Sequence, residues 1–131
     1  MESLKIVAHY ADGKIVKGTT QNFSPGQPNF HLKHMDSNGD GARPVRLTDL
    51  KAIFFVRSFK GKPGYEEKKD LKKAPPGRKV RVTFNDRETL DGTTLDYNLN
   101  ATGFFLFPVD PNSNNQKIFV VHDAVSDVKF V

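Results

Sequence analysis

A shift of 74 residues lays this chain over itself. Residues 5–49 fall on residues 79–123 without a gap, and ten positions are identical: Lys5/Lys79, Asp12/Asp86, Gly18/Gly92, Thr19/Thr93, Thr20/Thr94, Phe30/Phe104, Leu32/Leu106, Asp36/Asp110, Asn38/Asn112 and Asp49/Asp123. Other pairs keep their character, among them Ile6/Val80, Ala8/Val82, Tyr10/Phe84, Val45/Phe119 and Leu47/Val121. After a one-residue adjustment, Ile53 and Phe55 fall on Val128 and Phe130. A repeat of this length means one folding unit used twice.

Each copy reads as β throughout. Ile6, Ala8 and Tyr10 alternate with polar neighbours, as do Val80, Val82 and Phe84, which is the period of a half-buried strand. Asp12-Gly13 is a hairpin turn because glycine supplies positive φ at little cost. The matching turn, Asn85-Asp86-Arg87-Glu88, has no glycine, which predicts a different turn type. Gly18 and Gly92 lie inside strand patterns, where glycine marks a bulge or a sharp bend. Further strands are predicted over residues 19–23, 29–35, 43–47 and 53–56, and over 93–97, 103–109, 116–121 and 128–131. Five short strands bent by an internal glycine make a small, strongly twisted barrel. The expectation is an all-β protein of two tandem five-stranded barrels: residues 1–57, a basic linker over 58–77 with one short helix near residues 65–73, and residues 78–131.

Charge separates these segments. The chain of 131 residues has a net charge of +5. Residues 57–81 alone carry ten basic and three acidic residues, and residues 82–131 carry three basic and seven acidic. The excess therefore belongs to one stretch, punctuated by Lys60-Gly61-Lys62-Pro63-Gly64 and Pro75-Pro76-Gly77. With no cysteine there is no disulfide, thiolate metal site or cysteine nucleophile. No apolar run approaches the roughly 18 residues of a membrane span, and the start lacks a signal-peptide core, so a cytoplasmic protein is expected.

Each repeat resembles the Sm-like barrel of the LSm and Hfq proteins. The resemblance rests on Asp12-Gly13-Lys14-Ile15-Val16-Lys17-Gly18 with Asn29-Phe30-His31-Leu32, and on residues 86–92 with Gly103-Phe104-Phe105-Leu106. Residues 116–126 are similar to the last two Hfq strands. The resemblance implies RNA binding, but the Arg-Gly step that Sm proteins use for bases is missing from Leu47-Thr48-Asp49-Leu50 and from Val121-His122-Asp123-Ala124. The run Gly103-Phe104-Phe105-Leu106-Phe107-Pro108 also resembles uncharacterised bacterial domains found beside signalling modules, which implies an accessory or regulatory role.

No motif carries chemistry. Asp36-Ser37-Asn38-Gly39-Asp40-Gly41 matches half of an EF-hand loop, but Leu47 stands where the bidentate Glu is needed, so the stretch reads as a polar turn. His31 and His34 are three apart on a strand and point to opposite faces, so no metal site is expected. There is no phosphate-binding glycine loop and no nucleophile motif. Asn22-Phe23-Ser24-Pro25-Gly26 is one residue short of the cyclic-dinucleotide motif of PilZ barrels, lacks its arginine partner, and reads as a turn. The expectation is a non-enzymatic protein without a cofactor, acting as a binding or adaptor module. Phe104, Phe105 and Phe107 form its candidate protein interface, since consecutive aromatics put rings on both strand faces, with a contact between repeats or between protomers as the other reading. The alternative is RNA or another polyanion held by Asn29, Phe30, His31, Lys60, Lys62, Lys68, Lys69, Lys72, Lys73 and Arg78.

Overall fold

The computed structural model describes residues 3–35, 41–68 and 74–131. Ten strands form one antiparallel sheet. The first half contributes β1 (Leu4–Tyr10), β2 (Ile15–Thr20), β3 (Asn29–His34), β4 (Arg43–Arg46) and β5 (Leu50–Val56). The second contributes β6 (Arg78–Phe84), β7 (Thr89–Thr94), β8 (Gly103–Pro108), β9 (Asn115–Val121) and β10 (Val125–Phe130). The sheet order is β10-β6-β7-β8-β9-β5-β1-β2-β3-β4, so each half has its fifth strand beside its first, followed by its second, third and fourth.

Register shows where the two halves correspond. Ile6 faces Phe55 and Ala8 faces Ile53 in the first half, as Val80 faces Phe130 and Val82 faces Val128 in the second. Phe30 faces Val45, whereas its counterpart Phe104 faces Val120. The extra residue of the second half therefore enters before β9, in the turn after β8. The pairings Val45/Phe119, Leu47/Val121 and Asp49/Asp123 read from the ungapped sequence are each off by one. The short 3-10 turns agree, since Leu47–Asp49 corresponds to His122–Ala124. So do two matching bonds: the Ala11 N–H donates to the Asp49 carbonyl at 3.0 Å, and the Asn85 N–H to the Ala124 carbonyl at 2.8 Å.

The two glycine-marked bends are close approaches rather than strained turns. A Cβ on Gly18 would land on the Lys33 carbonyl oxygen, and one on Gly92 on the Phe107 carbonyl oxygen. Only a hydrogen at Cα lets β2 and β7 lie against the strands that follow them. The second strands end at Thr20 and Thr94, earlier than the sequence pattern suggests. There the Asn22 and Asp96 side chains turn the chain, Asn22 accepting from the His31 N–H at 2.9 Å and Asp96 from the Phe105 N–H at 3.1 Å. The first hairpin turns do not differ as expected. Gly13 has φ +97° and Arg87 has φ +75° at the same position, and both turns close with matching hydrogen bonds.

The halves meet along β5 and β9, where Ile53 faces Phe119 and Phe54 faces Ile118. These strands are apolar on both faces because each face enters a different core. Ile53, Phe55, Phe119 and Val121 join Ile6, Phe30 and Leu47 in one. Ala52, Phe54, Val56, Ile118 and Val120 join Val80, Phe84 and Phe104 in the other. Residues 65–68, the described part of the expected short helix, have no helical structure; the rest lies outside the described residues.

Candidate binding surfaces

The aromatic interface expected at Phe104, Phe105 and Phe107 is turned largely inward. Phe104 is fully buried in the second core. Phe105 points the other way and packs against the first core, with its ring centroid 5.2 Å from Phe119, 6.1 Å from Phe55 and 6.3 Å from Phe23. The Lys117 ammonium caps it at 4.7 Å from the centroid. Alternation along β8 does put successive rings on opposite faces, but β9 and β5 carry both faces into the interior. Half-buried Phe107 keeps some access to a partner.

The residues expected to contact a polyanion divide in the same way. Phe30 is buried in the first core and has no face on which a base can stack. Asn29 and His31 are exposed on the outward side of β3, opposite Arg46 and Pro44 of β4. The Asn22 amide donates to His31 Nδ1 at 2.9 Å, which leaves the ring proton on Nε2. Lys33 continues this side of β3. Arg43, Pro44 and Arg46 line the outer strand, and none of Lys33, Arg43 and Arg46 forms an ion pair with a described residue. An open groove of about 530 Å³ beside β4 is lined by Tyr10, Lys14, Ile15, His34, Arg43 and Pro44 among others.

Part of the basic stretch over residues 58–77 is tied to the second half. The Tyr65 hydroxyl donates to Asp110 Oδ2 at 2.5 Å, and the Lys68 N–H donates to the same oxygen at 2.8 Å. Asp110 Oδ1 accepts from the Asn112 N–H at 2.8 Å. These bonds, Tyr65 first, hold the Asp110 carboxyl down at about 2. Ser58 and Asn114 exchange two hydrogen bonds, of 3.0 and 2.9 Å, and the Lys62 ammonium donates to the Asn112 carbonyl. Lys60, Lys62 and Lys68 remain exposed, and Lys69, Lys72 and Lys73 lie outside the described residues. Arg78 stacks its guanidinium 3.7 Å from the centroid of the Phe130 ring.

One cluster was not singled out by sequence pattern. Lys51, at the start of β5, reaches across to the β6–β7 turn, 2.7 Å from Asp86 and 2.5 Å from Glu88, and lies 4.7 Å over the Phe84 ring. Burial opposes its charge, but the hydrogen bonds to both carboxylates outweigh that and raise its pKa. His9 packs on Phe54 at 4.5 Å, and burial followed by the Lys51 charge lowers its pKa. A signal existed: position 51 is Lys in the first half, and its register counterpart, Ser126, carries no charge. The cluster is a polar clasp on the joint between halves.

Among the described residues no group of three or more His, Cys, Asp or Glu side chains is placed to hold a metal ion. The EF-hand-like stretch falls mostly on residues 36–40, outside the described residues. No helix among the described residues is long and apolar enough to cross a membrane. No curated protein matches the chain, and no solved structure matches it. A family model, described as a family of unknown function, matches residues 2–131, and the chain therefore belongs to the DUF6982 family.

Proposed function

We propose that this protein is a non-enzymatic binding module of the bacterial cytoplasm, accessory to signalling or regulation, made of two Sm-like barrels with a basic linker between them. It holds an acidic segment of a partner protein on the outward side of β3 and β4. The observation that carries this reading is the exposure of Asn29, His31, Lys33 and Arg46 on neighbouring strands, with no carboxylate among the described residues paired to Lys33 or Arg46. Cations left unpaired on a surface attract an anionic partner and set its orientation. An aromatic contact to a partner is reduced to Phe107, since Phe104 and Phe105 pack inside the chain.

The second reading is RNA or another nucleic acid held by Asn29, His31 and the linker lysines. The exposure of Lys60, Lys62 and Lys68 favours it. The burial of Phe30 weighs against it, because single-strand binders gain much of their affinity from stacking on exposed rings. Fluorescence anisotropy with a poly-glutamate peptide and a poly-uridine oligonucleotide separates the readings. The peptide is expected to bind wild type, and Lys33→Glu with Arg46→Glu to weaken it at least tenfold. Tighter binding of the oligonucleotide, lost steeply with salt, selects the second reading. Binding of neither probe overturns both.

A further inference from the structure

The two halves are joined head to tail: the fifth strand of one pairs with the fourth strand of the other. Such a joint is heterologous, so nothing in its symmetry stops it from repeating. Among the described residues the second half still has a free fifth strand, β10, and the first half a free fourth strand, β4, at opposite ends of the sheet. Repetition between copies would give a ring or a filament.

We infer that the residues on β4 and β10 block this repetition, so that the chain is a self-limiting unit of two halves. Register identifies the blocking positions one by one. In the existing joint, β5 sends Ala52 and Phe54 into the core of the second half, and β9 sends Phe119 and Val121 into the core of the first. The counterparts of Ala52 and Phe54 on β10 are Asp127 and Lys129, both exposed. The counterparts of Phe119 and Val121 on β4 are Pro44 and Arg46, also exposed.

A second joint in the same register would bury an Asp, a Lys and an Arg where the first buries apolar side chains. Desolvating those charges is strongly unfavourable. It would also set Lys129 directly opposite Arg43, as Phe54 is set opposite Ile118, and like charges at facing positions repel. Pro44 would face Val128 with no amide N–H to offer. Proline and charge on open edges are the means by which sheet proteins avoid unwanted pairing. The halves thus carry one strand geometry twice, with Ala52, Phe54, Phe119 and Val121 packed at the joint and Asp127, Lys129, Pro44 and Arg46 at the matching open positions.

Light scattering and sedimentation of the full chain test this inference. Wild type is expected to remain at the monomer mass of 14.7 kDa at all accessible concentrations. A variant combining Pro44→Phe, Arg46→Val, Asp127→Ala and Lys129→Phe is expected to associate, and Arg43→Glu in place of the apolar set should relieve only the facing repulsion and associate weakly at most. If the combined variant misfolds by circular dichroism, Asp127→Ala with Lys129→Phe in one chain and Pro44→Phe with Arg46→Val in another alter only exposed positions, and an equimolar mixture of the two should exceed the monomer mass. Wild type found as a head-to-tail oligomer, with hydrogen-exchange protection along the outer amides of β10, overturns the inference. So does a folded apolar variant that stays monomeric, because the named residues are then not the block.

Discussion

The third and fourth strands of the two halves share a register and have opposite fates. In the second half, β8 and β9 turn Phe105, Phe119 and Val121 into a core shared with the first half. In the first half, β3 and β4 turn His31, Pro44 and Arg46 outward. Backbone pairing is the same in both, with Phe30 facing Val45 and Phe104 facing Val120. Strand geometry therefore decides which residues share a face, and side-chain chemistry decides whether that face meets protein or water. Duplication supplied the first twice, and divergence of a few residues supplied the second.

Truncation at the matched positions gives the widest separation. Phe119→Ala removes a fully buried ring from the joint and is expected to cost about 3–5 kcal/mol in denaturant unfolding. Pro44→Ala, at the corresponding exposed position, should stay within about 0.5 kcal/mol. Similar losses at both sites would mean that β4 is covered in solution.

The glycine pair tests the opposite proposition, that the halves are alike where backbone meets backbone. Gly18→Ala and Gly92→Ala each drive a methyl group into a carbonyl oxygen of the next strand. Each is expected to destabilise the protein by about 2–3 kcal/mol, the scale of an overpacked interior. A loss at Gly92 alone would show that β2 and β3 relax apart at their free end while β7 and β8 are held by the joint.

Much of this was legible in sequence, for identifiable reasons. Strand existence followed from period-two alternation, and the opposite facing of Phe104 and Phe105 followed from the same rule. The ungapped repeat missed the true register of β9 because Asp49 and Asp123 are identical by type while their backbones do not correspond. Only hydrogen bonds between distant strands place the insertion in the turn before β9. The accessibility of Phe104 was illegible too, because a run of consecutive aromatics reads the same at a joint within one chain as at a partner surface. Nor does local sequence reveal how the basic stretch is attached, since Tyr65 and Asp110 are 45 positions apart.

That attachment makes the stability of the second half depend on pH. Asp110 has its carboxyl held at about 2, below the ordinary unfolded value near 3.9. Its folded pKa is depressed, so its contribution to stability is present above about pH 4 and is lost as pH falls toward 2. Urea midpoints of wild type and Asp110→Asn should differ at neutral pH and converge over that window. Tyr65→Phe, which removes the first of the bonds, should give a smaller difference over the same window. A gap that persists unchanged at pH 2 would mean that the carboxylate charge is not what fastens the strap.

The smallest expected effect is the most selective. Gly13 and Arg87 occupy the same turn position with φ of +97° and +75°. A side chain in this left-handed region costs roughly 1–2 kcal/mol that glycine avoids. Glycine has more conformational freedom to lose on folding, which returns part of that difference. Arg87→Gly should therefore stabilise the protein by about 0.5 kcal/mol, and Gly13→Arg should destabilise it by about the same amount or slightly more. The hydrogen bonds of the turn are not at stake in either change: Asp86 Oδ1 accepts from the Glu88 N–H at 3.0 Å, and Asp12 Oδ1 from the Lys14 N–H at 2.9 Å. Thermal unfolding of both single variants and the double variant reads the outcome, and the two changes should add because the turns lie in different halves. If Arg87→Gly proves destabilising, the Arg87 side chain supports the Asp86–Lys51–Glu88 clasp next to it, and the second turn has been selected for the joint rather than for its own backbone.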